Sequence, residues 1–160
     1  MGIIWNKIPN SDFYSITLNR MAMSVLEESE LQRLYESSKH QSSDLVFFDD
    51  EAKFFKSLLN RYFHSNLMAT HVNRVQLINS QLMQLKLVKA NITSDSLRHQ
   101  GNLQMKIKNL FSKSLDFLEL ENNRIEDEIK DLNKSLKNIK KGVFTIYKNL
   151  ETENWFKPVR

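Results

Sequence analysis

The chain has 160 residues, 41% of them hydrophobic, with three glycines, two prolines, no cysteine and a formal net charge of +4. That length supports one domain with a modest core. The lack of cysteine excludes disulfides, thiolate metal sites and cysteine nucleophiles, and no apolar run approaches the roughly 18 residues of a membrane-spanning helix.

Charge is distributed in blocks. Residues 1–51 hold nine acids against four Lys/Arg, and 52–115 hold ten Lys/Arg against one acid, Asp95. Residues 116–131 are acidic again, and 132–150 carry five lysines and no acid. Alternating blocks suit pairing within the chain or between subunits as well as binding to an external polyanion.

Residues 1–11 read as an entry segment whose Ile3, Ile4, Trp5 and Ile8 are apolar. A first helix is expected from Ser11 or Asp12, either of which caps exposed N–H groups. Its apolar face is Phe13, Ile16, Met23, Leu26, Leu31, Leu34 and Tyr35, with imperfect helical spacing. Residues 37–44 are polar and read as a loop, and 45–48 as a short apolar strap. Asp49, Asp50 and Glu51 then mark a helix start, because acids complement the positive end of the helix dipole.

The second helix is expected over about 50–92. Its later part carries a stripe of Met68, His71, Val75, Ile78, Leu82, Leu85, Lys89 and Ile92. The polar run 91–96 reads as a turn, with Ser94 capping a third helix; the rival reading is one unbroken rod. The domain plan is a 1–48 N-terminal segment and helix, a 49–93 basic amphipathic helix, a 94–152 heptad helix and a 153–160 irregular aromatic and basic tail.

The strongest pattern lies in the third helix. Alternating steps of four and three give Phe111, Leu115, Leu118, Asn122, Ile125, Ile129, Leu132, Leu136, Ile139, Val143, Ile146 and Leu150. A 3.5-residue repeat keeps an apolar stripe aimed at a partner helix. Asn122 is the one polar member, either fixing register inside a seam or lying at an exposed stretch. Glu119, Glu121, Glu126 and Glu128 flank the seam and would oppose one another in a parallel homodimer. A basic partner helix is favoured instead. If the chain folds back at Ser94, the second helix covers the seam only to about Asn138, leaving the lysine-rich end for another protein.

No metal or phosphate-binding signature appears. His40, His64, His71 and His99 lack ligand spacing, and the acid pairs Asp49/Asp50 and Asp127/Glu128 read as solvated helix faces. No cofactor or small-molecule substrate is expected.

The resulting expectation is an all-α fold, an elongated helical hairpin or bundle with a long C-terminal coiled coil. The expected function is a non-catalytic scaffold or adaptor subunit that joins other helical subunits in an intracellular complex, cytoplasmic or nuclear. Its partner-binding residues are expected to be Asn122, Ile125, Ile129, Leu132, Leu136, Ile139, Val143, Ile146, Leu150, Trp155 and Phe156. The alternative is binding of nucleic acid or an anionic membrane through the basic 53–113 stretch.

Overall fold

The computed structural model describes residues 10–63 and 69–155, and side chains over 24–60 and 72–149. Three α-helices make up this part of the chain: α1 (Asn10–Phe63), α2 (Ala69–Ile107) and α3 (Leu115–Trp155). They pack as a bundle in which each helix touches the other two. Contacts fix the directions. Going up α1, Arg33, Gln41, Glu51 and Phe55 meet Glu119, Asn122, Lys140 and Phe144 of α3 in rising order. Glu27 and Asp49 meet Lys106 and Lys89 of α2 in falling order. α1 and α3 are therefore parallel, and α2 runs antiparallel between them.

Each helix buries one stripe at alternating steps of three and four. On α1 it is Leu31, Leu34, Ser38, Gln41, Leu45, Phe48, Ala52, Phe55 and Leu59. On α2, Val75, Ile78, Leu82, Ile92, Ser96, His99 and Leu103 are buried, and half-buried Leu85 and Lys89 fill the same period. On α3, Leu118, Asn122, Ile125, Ile129, Leu132, Leu136, Ile139, Val143 and Ile146 are buried. This is the spacing by which helices inclined at a shallow angle keep their apolar faces together.

Several sequence expectations change here. The loop over 37–44 and the strap over 45–48 are helical and lie in the middle of α1. Ser38 and Gln41 occupy core positions, so the α1 stripe continues through polar residues, and no Gly or Pro interrupts it. Asp49, Asp50 and Glu51 start no helix. They pair instead with Lys89, Lys53 and Lys140.

The turn over 91–96 is also absent, and α2 passes straight through it. Asn91 and Ser94 face outward there while Ile92 and Ser96 point into the core. The chain reverses at 108–114. Asn109 takes a left-handed backbone (φ 58°), which asparagine tolerates better than most residues. The Leu110 amide donates to the Met105 carbonyl at 2.8 Å and the Asn109 amide to the Lys106 carbonyl at 2.9 Å. This paired 6→1 and 5→2 arrangement is the Schellman motif that closes helix C-termini. Ser114 caps the next helix, its Oγ accepting from the Phe117 amide at 3.3 Å.

The position of this turn closes the seam that was expected to stay open. Ile78 of α2 reaches Gly142 of α3, where a Cβ would lie 3.4 Å from Ile78 Cδ1. Ile139, Val143 and Ile146 are buried in the main core cluster, together with α1 residues such as Phe55 and Leu59. The lysine-rich end of α3 thus has its mates within the chain. Gly142 lies inside α3. Phe111 sits in the turn and packs, half-buried, against the cluster of Leu31, Leu34, Leu103 and Leu118.

Candidate functional site

Two features of the bundle depart from what packing alone requires. The first is a polar layer inside the core. Ser38 and Gln41 of α1, Ser96 and His99 of α2, and Asn122 of α3 are all at most 4% exposed. Gln41 Nε2 donates to Asn122 Oδ1 at 3.0 Å and to the Asn122 carbonyl at 3.2 Å. Ser38 Oγ donates to the Tyr35 carbonyl at 2.7 Å within its own helix.

The α2 side of this layer is less well satisfied. Both ring nitrogens of His99, Ser96 Oγ, Gln41 Oε1 and Glu121 Oε2 are buried without a hydrogen-bond partner among the protein groups. His99 Nδ1 lies 3.5 Å from Glu121 Oε2, a close approach without hydrogen-bond geometry. Burial pulls the imidazole below its ordinary value of 6.5, and the neighbouring Glu121 carboxylate opposes that by favouring the charged form. Arg124 adds a further lowering.

The second feature is the outer face of α2. In a soluble bundle the positions turned away from the core are normally charged. On α3 they hold Asp127, Lys130, Asp131, Lys134, Lys137 and Lys141, all exposed. On α2, over 76–105, the exposed positions carry only two charges, Lys86 and Arg98. Met83 (71% exposed), Leu87 (67%), Leu97 (60%) and Leu77 (58%) project there. Small residues lie among them: Ser80, Ala90 and Ser94 are exposed, and a Cβ at Gly101 would meet nothing within 4 Å. The run Ser80, Met83, Leu87, Ala90, Ser94, Leu97 and Gly101 steps alternately by three and four, so it forms a second heptad stripe opposite the buried one. A smaller apolar patch on α1 comprises Val46, Phe47 and Phe54, with Phe54 edge-on to Phe55 at 5.4 Å.

The residues expected to bind a partner are placed as follows. Asn122, Ile125, Ile129, Leu132, Leu136, Ile139, Val143 and Ile146 are at most 5% exposed, and α1 and α2 cover them. In this fold these eight residues form part of the chain's own core. Leu150 and Trp155 lie in the last turns of α3, beyond the described side chains, and Phe156 lies outside the described residues. Sequence reasoning missed the outer stripe of α2 because it scored the inner one. The signal was present in the absence of charge at the 3,4-spaced positions Ser80, Met83, Leu87, Ala90, Ser94, Leu97 and Gly101.

Four of the nine described bases in the 53–113 stretch, Lys53, Lys89, Arg98 and Lys106, pair with acids of the chain. Lys89 meets Asp49 at 2.6 Å, Arg98 meets Asp95 at 2.9 Å and Lys106 meets Glu27 at 3.7 Å. Asp95 also accepts from Arg124 at 2.9 Å, and that bond above all holds its carboxyl below the usual range. Among the described residues no group of three or more His, Cys, Asp or Glu side chains gathers to hold a metal ion. Nor is any described helix long and apolar enough to cross a membrane.

Fold and surface together define a three-helix antiparallel bundle with one uncharged outer stripe. No protein-family model, curated protein or solved structure matches the chain.

Proposed function

We propose that the protein is a non-catalytic helical scaffold or adaptor subunit that assembles a larger complex through coiled-coil pairing. The observation that carries this reading is the second heptad stripe on the outside of α2. Exposed apolar patches bordered by polar residues mark interaction surfaces, and a helix face with regular 3,4 spacing fits another helix. The seam of α3 supplies the rigid frame in this reading, and α2 supplies the contact.

The full-length chain, purified by affinity from its native cells with partner identification, tests the idea. Helical subunits should co-purify and be lost from the variant carrying Leu87→Arg and Leu97→Arg. Retention of the same partners by that variant would sink the reading. The alternative, a nucleic-acid or anionic-membrane binder, would show as salt-dependent binding to DNA, RNA or acidic vesicles. It has less support, because Lys89, Arg98 and Lys106 already face acids of the chain.

A further inference from the structure

We propose that the occupant of the α2 face is a second copy of this chain, packed antiparallel, α2 against α2, about a two-fold axis level with Ile92. The inference rests on the reading of that face as an assembly surface, and it names the partner.

The argument is one of register. An isologous contact requires a surface complementary to itself when reversed. In an antiparallel pair of heptad stripes, alternate stripe positions face each other across the axis. With the axis beside Ile92, Leu87 meets Leu97 of the second copy and Met83 meets Gly101. Ala90 meets Ser94 at the centre, where small side chains let the helices approach closely. The longest side chain on the stripe therefore falls on the residue that has none.

The flanks agree. Leu77 comes beside Met105, extending the apolar contact at both ends. Arg98 falls beside Gln84 and Lys86 beside Gln100, so neither cation meets another. A parallel in-register pair would set Met83 against Met83 and Gly101 against Gly101, crowding one layer and leaving a gap in another.

Gly101 is a second, independent pointer. Glycine inside a helix is disfavoured relative to alanine, and here a Cβ would meet nothing within 4 Å. Packing within the bundle gives no reason for it, whereas packing of a Met83 from outside does.

The size is adequate for a reversible dimer. A stripe over 77–105 is about 43 Å long, and at a helix width of about 12 Å it buries on the order of 1,000 Å² in total. That is the low end for a specific interface, so the dimer should be concentration-dependent rather than permanent.

Sedimentation velocity of the full chain, from about 1 to about 200 µM, reads this directly. The mass should rise from 18.9 kDa towards twice that value. Leu87→Arg with Leu97→Arg should hold it at the monomer over the whole range with unchanged thermal unfolding, since both residues lie outside the core. A monomer at every concentration, or a dimer that survives those two changes, overturns the proposal.

The chain contains no cysteine, so disulfide trapping reports register without background. The double variant Met83→Cys with Gly101→Cys should oxidise to a covalent dimer, and Leu87→Cys alone should not. A covalent dimer of Leu87→Cys would mean parallel pairing, and failure of the double variant to oxidise would mean another register; either overturns the register. Helical partners that depend on Leu87 and Leu97 while the chain stays monomeric would overturn self-pairing and leave the assembly reading intact. A dimer to which no other subunit binds would support self-pairing and sink the adaptor reading.

Discussion

Gln41 of α1 and Asn122 of α3, eighty-one residues apart, hold each other inside the core, with Nε2 3.0 Å from Oδ1. Both are at most 4% exposed, so either amide left alone is a buried polar group without a partner. Such a group costs about 1–3 kcal/mol, whereas replacing both partners by apolar residues is close to neutral. Asn122→Leu and Gln41→Leu should each lower stability by about that amount, and the double change should recover most of it. Urea unfolding of the four proteins measures the coupling; additive losses would show that the pair does not act as a unit.

The pH dependence follows from His99. Its folded value lies below the ordinary 6.5, chiefly through burial. The unfolded chain therefore takes up a proton at higher pH than the folded one. This contribution to stability is present above the ordinary histidine value and is lost as pH falls through it towards the folded one. The groups facing the ring are Glu121 and Arg124 of α3. Thermal midpoints should fall as pH drops from about 8 to about 5, and His99→Leu should flatten that slope over the histidine range. An equally steep slope in the variant would assign the acid sensitivity to carboxylates elsewhere.

The end of α3 should prove structural. Ile146 is fully buried, and truncating a buried isoleucine to alanine typically costs about 2–5 kcal/mol. Ile146→Ala should shift the denaturation midpoint accordingly. A change below about 1 kcal/mol would mean that this end of the seam is loosely packed in the isolated chain.

Gly142 offers a stabilising change. It lies within α3, and a Cβ there would make ordinary contact with Ile78 Cδ1 at 3.4 Å. Gly142→Ala should raise stability by about 0.5–1 kcal/mol through helix propensity. A loss instead would show that Ile78 cannot yield.

The α3 stripe was legible in the sequence because ten of its members, from Leu115 to Ile146, lie on an uninterrupted helix and nine of those are apolar. The α1 stripe was not, for a physical reason. Two of its core positions are Ser38 and Gln41, while Val46, Phe47 and Phe54 are apolar and face outward. A reading based on hydrophobicity therefore breaks the helix where the core is polar and misplaces its face where the surface is apolar.

The turn was misread for a related reason. Residues 91–96 are polar because some face outward and Ser96 belongs to the polar layer, whereas the real reversal at Asn109 contains neither Gly nor Pro. That error alone shifted the pairing of α2 along α3 and produced the open seam. The outer face of α2 was readable in principle, since its signal is missing charge rather than added hydrophobicity.

Three helices are an odd number, and this has a mechanical consequence. α1 enters at one end of the bundle and α3 leaves at the other, so the described chain does not return to its starting point. The 41 residues of α3 correspond to about 60 Å of helix. Anything joined ahead of α1 and anything joined behind α3 would be held apart by a strut of that order. A two- or four-helix version of the same packing would place both attachments side by side.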